Sequence, residues 1–218
     1  MSPWIKICGT TSLADAELAI DAGADAVGFV FAPSPRQVTT VQVAAIAPKL
    51  PQNIEKIGVF GQAAFDEIAA AVSTAGLTGI QLHFDAAPEL TSRLRRRFGA
   101  AIRIVRVVRF SSTPTTAPHL PDDANADAIL IDSCSASGAG GTGIAYDWNL
   151  AAETIFRNGA ARKLIAAGGL TPANVAEAID RLRPWGVDVA TGVESAPGRK
   201  DPAKLRAFIA GARAARGK

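Results

Sequence analysis

The sequence has only two cysteines, Cys8 and Cys134, in 218 residues. So little cysteine in a chain that is 48% hydrophobic argues against a disulfide scaffold and fits a reducing compartment with free thiols. No apolar run approaches the ~18 residues that span a bilayer, and the N-terminus lacks a charged-then-apolar signal pattern. A cytoplasmic protein with no membrane partner is therefore expected. Histidine is as scarce: His83 and His119 with the two cysteines form no compact ligand spacing, so no metal is expected. Charge of one sign is also in short supply, with a net charge of +3. The basic excess sits on Arg93, Arg95, Arg96 and Arg97 and on Arg206, Arg213, Arg216 and Lys218, on two separate predicted helices. With only Phe98 and Phe208 near them for stacking, these read as solvated helix faces, and no nucleic-acid partner is expected.

What the chain does have is rhythm. Short β-branched runs alternate with alanine-rich stretches at helical spacing. The strand candidates are 4–9, 25–31, 55–61, 79–84, 101–108, 127–133, 163–169 and 186–193. Several are apolar on both faces, as in a parallel sheet covered by helices. Helix starts are signalled by Ser12-x-x-Asp15, which resembles a capping box, and by Thr171-Pro172 and Asp201-Pro202. The unit after the fifth strand is weak, because residues 111–125 are rich in proline and hydroxyls. Eight strand-helix units in this length predict an α/β fold, a single-domain (β/α)₈ TIM barrel over 2–217.

Such barrels carry their chemistry at the C-terminal ends of the strands. Cys8 ends the first run, in "KICGTT". A cysteine is a good base only as thiolate, and a lone one beside isoleucines is equally a small core residue. Asp132 ends "AILIDS", where partial desolvation can keep a carboxyl protonated as a general acid; a structural aspartate is the alternative. Arg36 in "SPRQ", held by Pro33 and Pro35, can grip a carboxylate in two-point fashion or simply be solvated. His83 can orient a substrate or satisfy the core. The glycine-rich stretch 135–143, which contains Gly141 and Gly143, suits a closing loop, though not a Walker loop. "AAGGLTP" and "DVATGVESAPGRKD" place backbone amides after strands seven and eight, where barrels commonly bind phosphate. Arg199 and Lys200 are the only charged candidates there and read equally well as solvated.

Taken together, "KICGTT", "VGFVFAPSPRQV", "IGVF", "IQLH", "GGTGIAYDW", "AAGGLTPANV" and "VDVATGVESAPGRKD" resemble the phosphoribosylanthranilate isomerase family over nearly the whole chain. The resemblance implies an Amadori rearrangement of N-(5'-phosphoribosyl)anthranilate to the 1-deoxyribulose form in tryptophan biosynthesis, without metal or organic cofactor. It implies Cys8 as general base, Asp132 as general acid and Arg36 near the anthranilate carboxylate. It also implies His83, Asp188, Gly141 and Gly143 at the substrate, and Gly168, Gly169, Thr191 and Gly192 at the phosphate. The partner is then a phosphorylated small molecule, and the protein a monomer or homodimer. Three departures stand out: Phe84 where the family usually has glycine, Ala190-Thr191 where a serine pair is commoner, and the ill-defined helix after the fifth strand. Two rivals remain, a sugar-phosphate isomerase using two aspartates, which Cys8 argues against, and a barrel that binds a phosphorylated ligand without catalysis.

Overall fold

Each of the eight expected runs contains a strand. The computed structural model describes residues 2–110, 120–133 and 146–215. In it β1 (Trp4–Cys8), β2 (Ala26–Val30), β3 (Glu55–Phe60), β4 (Gly79–Leu82), β5 (Arg103–Phe110), β6 (Ala128–Ser133), β7 (Leu164–Ala166) and β8 (Gly186–Val189) run parallel and close into a barrel in chain order, β8 beside β1. The helices are α1 (Leu13–Asp21), α2 (Thr40–Ile46), α3 (Phe65–Ala75), α4 (Pro88–Phe98), α5 (Trp148–Ala151), α6 (Val175–Leu182) and α7 (Pro202–Ala214). Among the described residues none lies between β5 and β6, and no helix is long and apolar enough to cross a membrane. Cys134, His119, Gly141, Gly143, Arg216 and Lys218 lie outside the described residues, as does the whole glycine-rich stretch 135–143.

Strand alternation divides the interior in two. Outward side chains such as Ile5, Ile7, Val27, Phe29, Ile80, Leu82, Ile129 and Ile131 pack under the helices, while Val105, Ala128, Leu130, Ile165 and Ala167 fill the barrel. The barrel floor is aromatic and charged at once: Trp4 stacks on Trp185 at 5.2 Å, and Glu55 accepts from Trp4 Nε1 and pairs with Arg103 at 2.6 Å.

Two cross-links of the same design fasten the outer layer to the barrel. In one, Asp25 accepts the Ile5 amide at 2.7 Å and the Arg213 guanidinium at 2.8 Å, while Arg213 also donates to the Pro3 and Gly23 carbonyls. In the other, Asp127 accepts the Ile104 amide at 2.7 Å and Arg95 at 2.6 Å, while Arg95 also donates to the Ile102 and Asn125 carbonyls. Arg95 and Arg213 are therefore anchors, which corrects their reading as solvated; Arg93, Arg96, Arg97 and Arg206 are exposed as expected.

The helix starts also differ in detail. Ser12 caps α1 through the Asp15 amide, but the Asp15 carboxylate accepts from the Ser12 hydroxyl and from the Lys200 amide rather than completing a capping box. The reciprocal box occurs instead at Thr39 and Gln42. Thr171-Pro172 opens a turn, and α6 begins only at Val175, because Asn174 folds back onto the Thr171 amide and the Gly169 carbonyl. Asp201 caps α7 as expected, accepting from the Ala203 and Lys204 amides. Between β8 and α7 the sequence hides a hairpin, β9 (Glu194–Ala196) against β10 (Arg199–Lys200).

Candidate active site

A cavity of ≈ 600 Å³ opens at the C-terminal ends of the strands. It is lined by every expected site residue that the structure describes: Cys8, Arg36, His83, Asp132, Gly168, Gly169, Asp188, Thr191 and Gly192. Their strands deliver them by alternation. Cys8, Asp132 and Asp188 occupy inward positions near the tops of β1, β6 and β8, above the apolar fill.

Asp132 is 8% exposed, and His83 Nε2 lies 3.5 Å from its Oδ2. Burial and the charge of Asp188 push its pKa up to about 6, against smaller opposing contributions from the Ser133 amide, Arg109 and Lys6. Burial likewise lowers the pKa of His83, with Arg109 and Lys6 adding to the effect, so the pair is a carboxyl and a neutral imidazole rather than a strong ion pair. Burial raises the Cys8 thiol, Lys6 and Lys200 oppose that rise, and Asp188 adds to it.

Arg36 is not free in solvent. Nε and Nη2 make a two-point pair with Glu194 at 2.8 and 2.6 Å, and Nη2 also reaches Thr191 Oγ1 at 3.2 Å. Nη1 takes part in none of these bonds. The side chain lies across Gly9, whose φ is +73° and where a Cβ would stand 2.5 Å from Arg36 Cδ. Glycine is needed there twice over, for the left-handed backbone and for the passage of the arginine. The Ala190–Thr191 departure thus leaves one hydroxyl, and that hydroxyl holds Arg36.

Lys200 corrects the sequence reading outright. It is buried, with Nζ donating to the Cys8 carbonyl at 2.5 Å and pairing with Glu194 at 3.0 Å. The hairpin therefore ties the end of β1 and the Arg36 loop to β8, while Arg199 stays exposed. In the loops after β7 and β8, Gly168 has φ +77° and a Cβ there would collide with the Ser133 backbone, while one on Gly192 would overlap the Leu170 carbonyl. Neither position has room for a side chain.

Sequence reasoning missed four contributors. Lys6 is buried two residues before Cys8 and pairs with Asp188 at 2.9 Å. Its signal was available: a lysine on the same strand face as a candidate thiol. Arg109 lies opposite Asp132 in register on β5 and lines the cavity. Glu194 and Asn174 had no signal of their own, since each acts through a loop whose path the sequence does not reveal. Phe84 joins the cavity wall beside His83 and also borders a second cavity at the top of β5. Among the described residues, no group of three or more His, Cys, Asp or Glu can hold a metal ion.

Comparison with known proteins agrees at every level. Residues 5–211 match the family model for N-(5'phosphoribosyl)anthranilate (PRA) isomerase. The N-(5'-phosphoribosyl)anthranilate isomerase of Pelobacter propionicus is 43% identical over 206 residues, covering 94% of this chain and 93% of its own. The crystal structure of the Thermotoga maritima phosphoribosyl anthranilate isomerase superposes with a TM-score of 0.81 at 34% identity, covering 96% and 98% of the two chains. A phosphoribosyl anthranilate isomerase in complex with reduced 1-(o-carboxyphenylamino)-1-deoxyribulose 5-phosphate superposes with a TM-score of 0.77 at 32% identity, covering 96% and 98%.

Proposed function

The chain belongs to the N-(5'-phosphoribosyl)anthranilate isomerase family, and on that premise we propose that Cys8 and Asp132 are the base and the acid of its reaction. That reaction is the Amadori rearrangement of N-(5'-phosphoribosyl)anthranilate in tryptophan biosynthesis. Asp132, protonated, gives its proton to the furanose ring oxygen, and the ring opens to a Schiff base. Cys8, as thiolate, removes the C2' proton to leave an enolamine, which tautomerises to the ketone. One observation carries the assignment: the two side chains face one cavity from separate strand ends, with the glycine loops after β7 and β8 on its rim.

Gly168, Gly169, Thr191 and Gly192 receive the phosphate on backbone amides. Arg36, whose Nη1 is not taken up by Glu194, meets the anthranilate carboxylate, and His83 and Asp188 line the reacting sugar. Gly141 and Gly143 belong to the same proposal as substrate contacts. Residues 2–217 act as one catalytic domain, in the cytoplasm, as a monomer or homodimer; sedimentation velocity separates the last two.

The two pKa directions make a kinetic demand. The reactive form needs Asp132 protonated and Cys8 ionised, yet Asp132 titrates at about 6 and Cys8 above its ordinary value. Between those points the favoured arrangement is the reverse, so the reactive form is a fixed minority. kcat/KM then rises to a bend near pH 6, runs level, and falls only above the Cys8 titration. The level stretch is lower the further apart the two pKa values lie. The test is the fluorescence decay of phosphoribosylanthranilate with purified protein and with Cys8→Ser. The serine variant is expected to fold normally by circular dichroism and to lose most turnover, by about 10²–10⁴-fold. Near-normal turnover would remove Cys8 from the mechanism.

A further inference from the structure

Lys6 is among the largest fully buried side chains in the protein, 1% exposed, and it stands inside the barrel. Its Nζ lies 2.9 Å from Asp188 Oδ1, the residue opposite it in register on β8. On the other side, Gly28 of β2 stands in register with Cys8. A Cβ on Gly28 would come within 2.9 Å of the Cys8 sulfur and 3.1 Å of Lys6 Nζ, so thiol and ammonium crowd the one space that the missing side chain leaves. Burying an ion pair adds little net stability compared with apolar side chains of similar volume, which makes a packing role a poor account of this lysine.

We infer that Lys6 is the positioning residue for Cys8: its buried ammonium is the counter-ion that allows the thiol to ionise inside the barrel, and Asp188 is the second anion that shares that ammonium with the thiolate. The inference rests on Cys8 being the base and adds what makes it one. The charges facing Cys8 are Lys6 from β1, Asp188 from β8, Lys200 from β10 and Arg36 from the loop after β2. Neighbouring Gly28 and Ala26 of β2 bring none. Lys6 is the largest influence holding the thiol down against burial, and Asp188 the largest charge pushing it up. The two substitutions therefore have opposite signs, which a purely structural role does not produce.

The experiment follows the thiolate directly by its ultraviolet absorbance during pH titration, in a Cys134→Ala background so that one thiol is read, alongside kcat/KM against pH. In Lys6→Met the Cys8 midpoint is expected to rise by about 1–3 pH units. The alkaline limb of kcat/KM moves up with it, the bend near pH 6 moves up less because Lys6 is the smallest of the influences on Asp132, and the level stretch falls by at most about tenfold for each unit moved. In Asp188→Asn the midpoint falls. Should Lys6→Met not fold once Asp188 loses its cation, Asp188→Asn and the charge-balanced Lys6→Met/Asp188→Asn decide, the latter with a midpoint between those of the singles. A midpoint unmoved in Lys6→Met, or unmoved or raised in Asp188→Asn, overturns the inference. Because the absorbance titration needs no turnover, that failure is distinct from an active Cys8→Ser, which overturns the base assignment itself.

Discussion

The two halves of the barrel are fastened alike and armed differently. In the first, Asp25 joins the start of β1 to Arg213; in the second, Asp127 joins the start of β5 to Arg95, with the same amide, the same two carbonyls and the same guanidinium in corresponding places. Above these matched clamps the resemblance stops. The first half supplies Lys6 and Cys8 on its first strand, whereas the second supplies Arg109 on its first strand and Asp132 on its second. Clamps satisfy every charge they use. At the mouth Asp132 is buried beside the charge of Asp188, which is why it titrates at about 6. Structure is repeated at the strand starts and diverges at the mouth of the cavity.

The sharpest way to break the comparison is at Asp132. Asp132→Asn is expected to cost about 10²–10⁴-fold in turnover and to abolish the bend near pH 6. It should also stabilise the fold. The unfolded carboxyl titrates near 3.8 and the folded one at about 6, so the native state binds the extra proton and loses stability as pH rises through that interval, roughly 2–3 kcal/mol by neutral pH. A neutral amide escapes that cost, and thermal melts at pH 7–8 read the gain.

Next comes the join between the halves. Glu194→Gln leaves the fully buried Lys200 ammonium without its carboxylate and is expected to cost about 3 kcal/mol in chemical denaturation. Arg36 and Lys200 hold the pKa of Glu194 below its ordinary value despite burial. Its contribution is therefore complete above the unfolded value of 4.5 and fades as pH falls through the lower folded value. The acid-unfolding curve of the wild type should carry this slope, and that of the variant should not.

In the loop after β8, Gly192→Val forces a side chain against the Leu170 carbonyl and is expected, on the proposed backbone-amide site, to weaken a phosphorylated product analogue by more than about tenfold in calorimetric titration. Arg199→Gln, at an exposed position, should bind it normally. The smallest effects belong to the clamps. Asp25→Ala and Asp127→Ala should each lose about 1–2 kcal/mol, equal to within about 0.5, with kcat/KM unchanged. A marked inequality would mean that the two clamps are not energetic equivalents.

Much of this was legible in the sequence because strand alternation and strand-end chemistry are local. The eight strands, Cys8, Asp132, His83 and Asp188, and the glycine loops follow from runs of a few residues. What escaped was long-range. Lys200 looks solvated in a charged stretch, and only the hairpin between β9 and β10 turns it under Cys8. Arg36 looks like a free gripping group until Glu194, 158 positions away, takes two of its nitrogens. Arg95 and Arg213 each reach carbonyls and a carboxylate that no helical periodicity reveals. Lys6 is the exception: its position two residues before Cys8 was readable, and only the habit of assigning lysine to the surface concealed it.

The bonds around Cys8 also set the order in which the molecule can come together. Lys6 meets Asp188 across 182 positions, and Lys200 meets the Cys8 carbonyl across 192. Each contact closes nearly the whole chain into one loop, whose entropy must be lost before the contact returns anything. The strands between can pair with their neighbours in sequence long before that. The surroundings of Cys8, a buried thiol flanked by Lys6 and Lys200, are thus complete only once the final seam between first and last strands has closed.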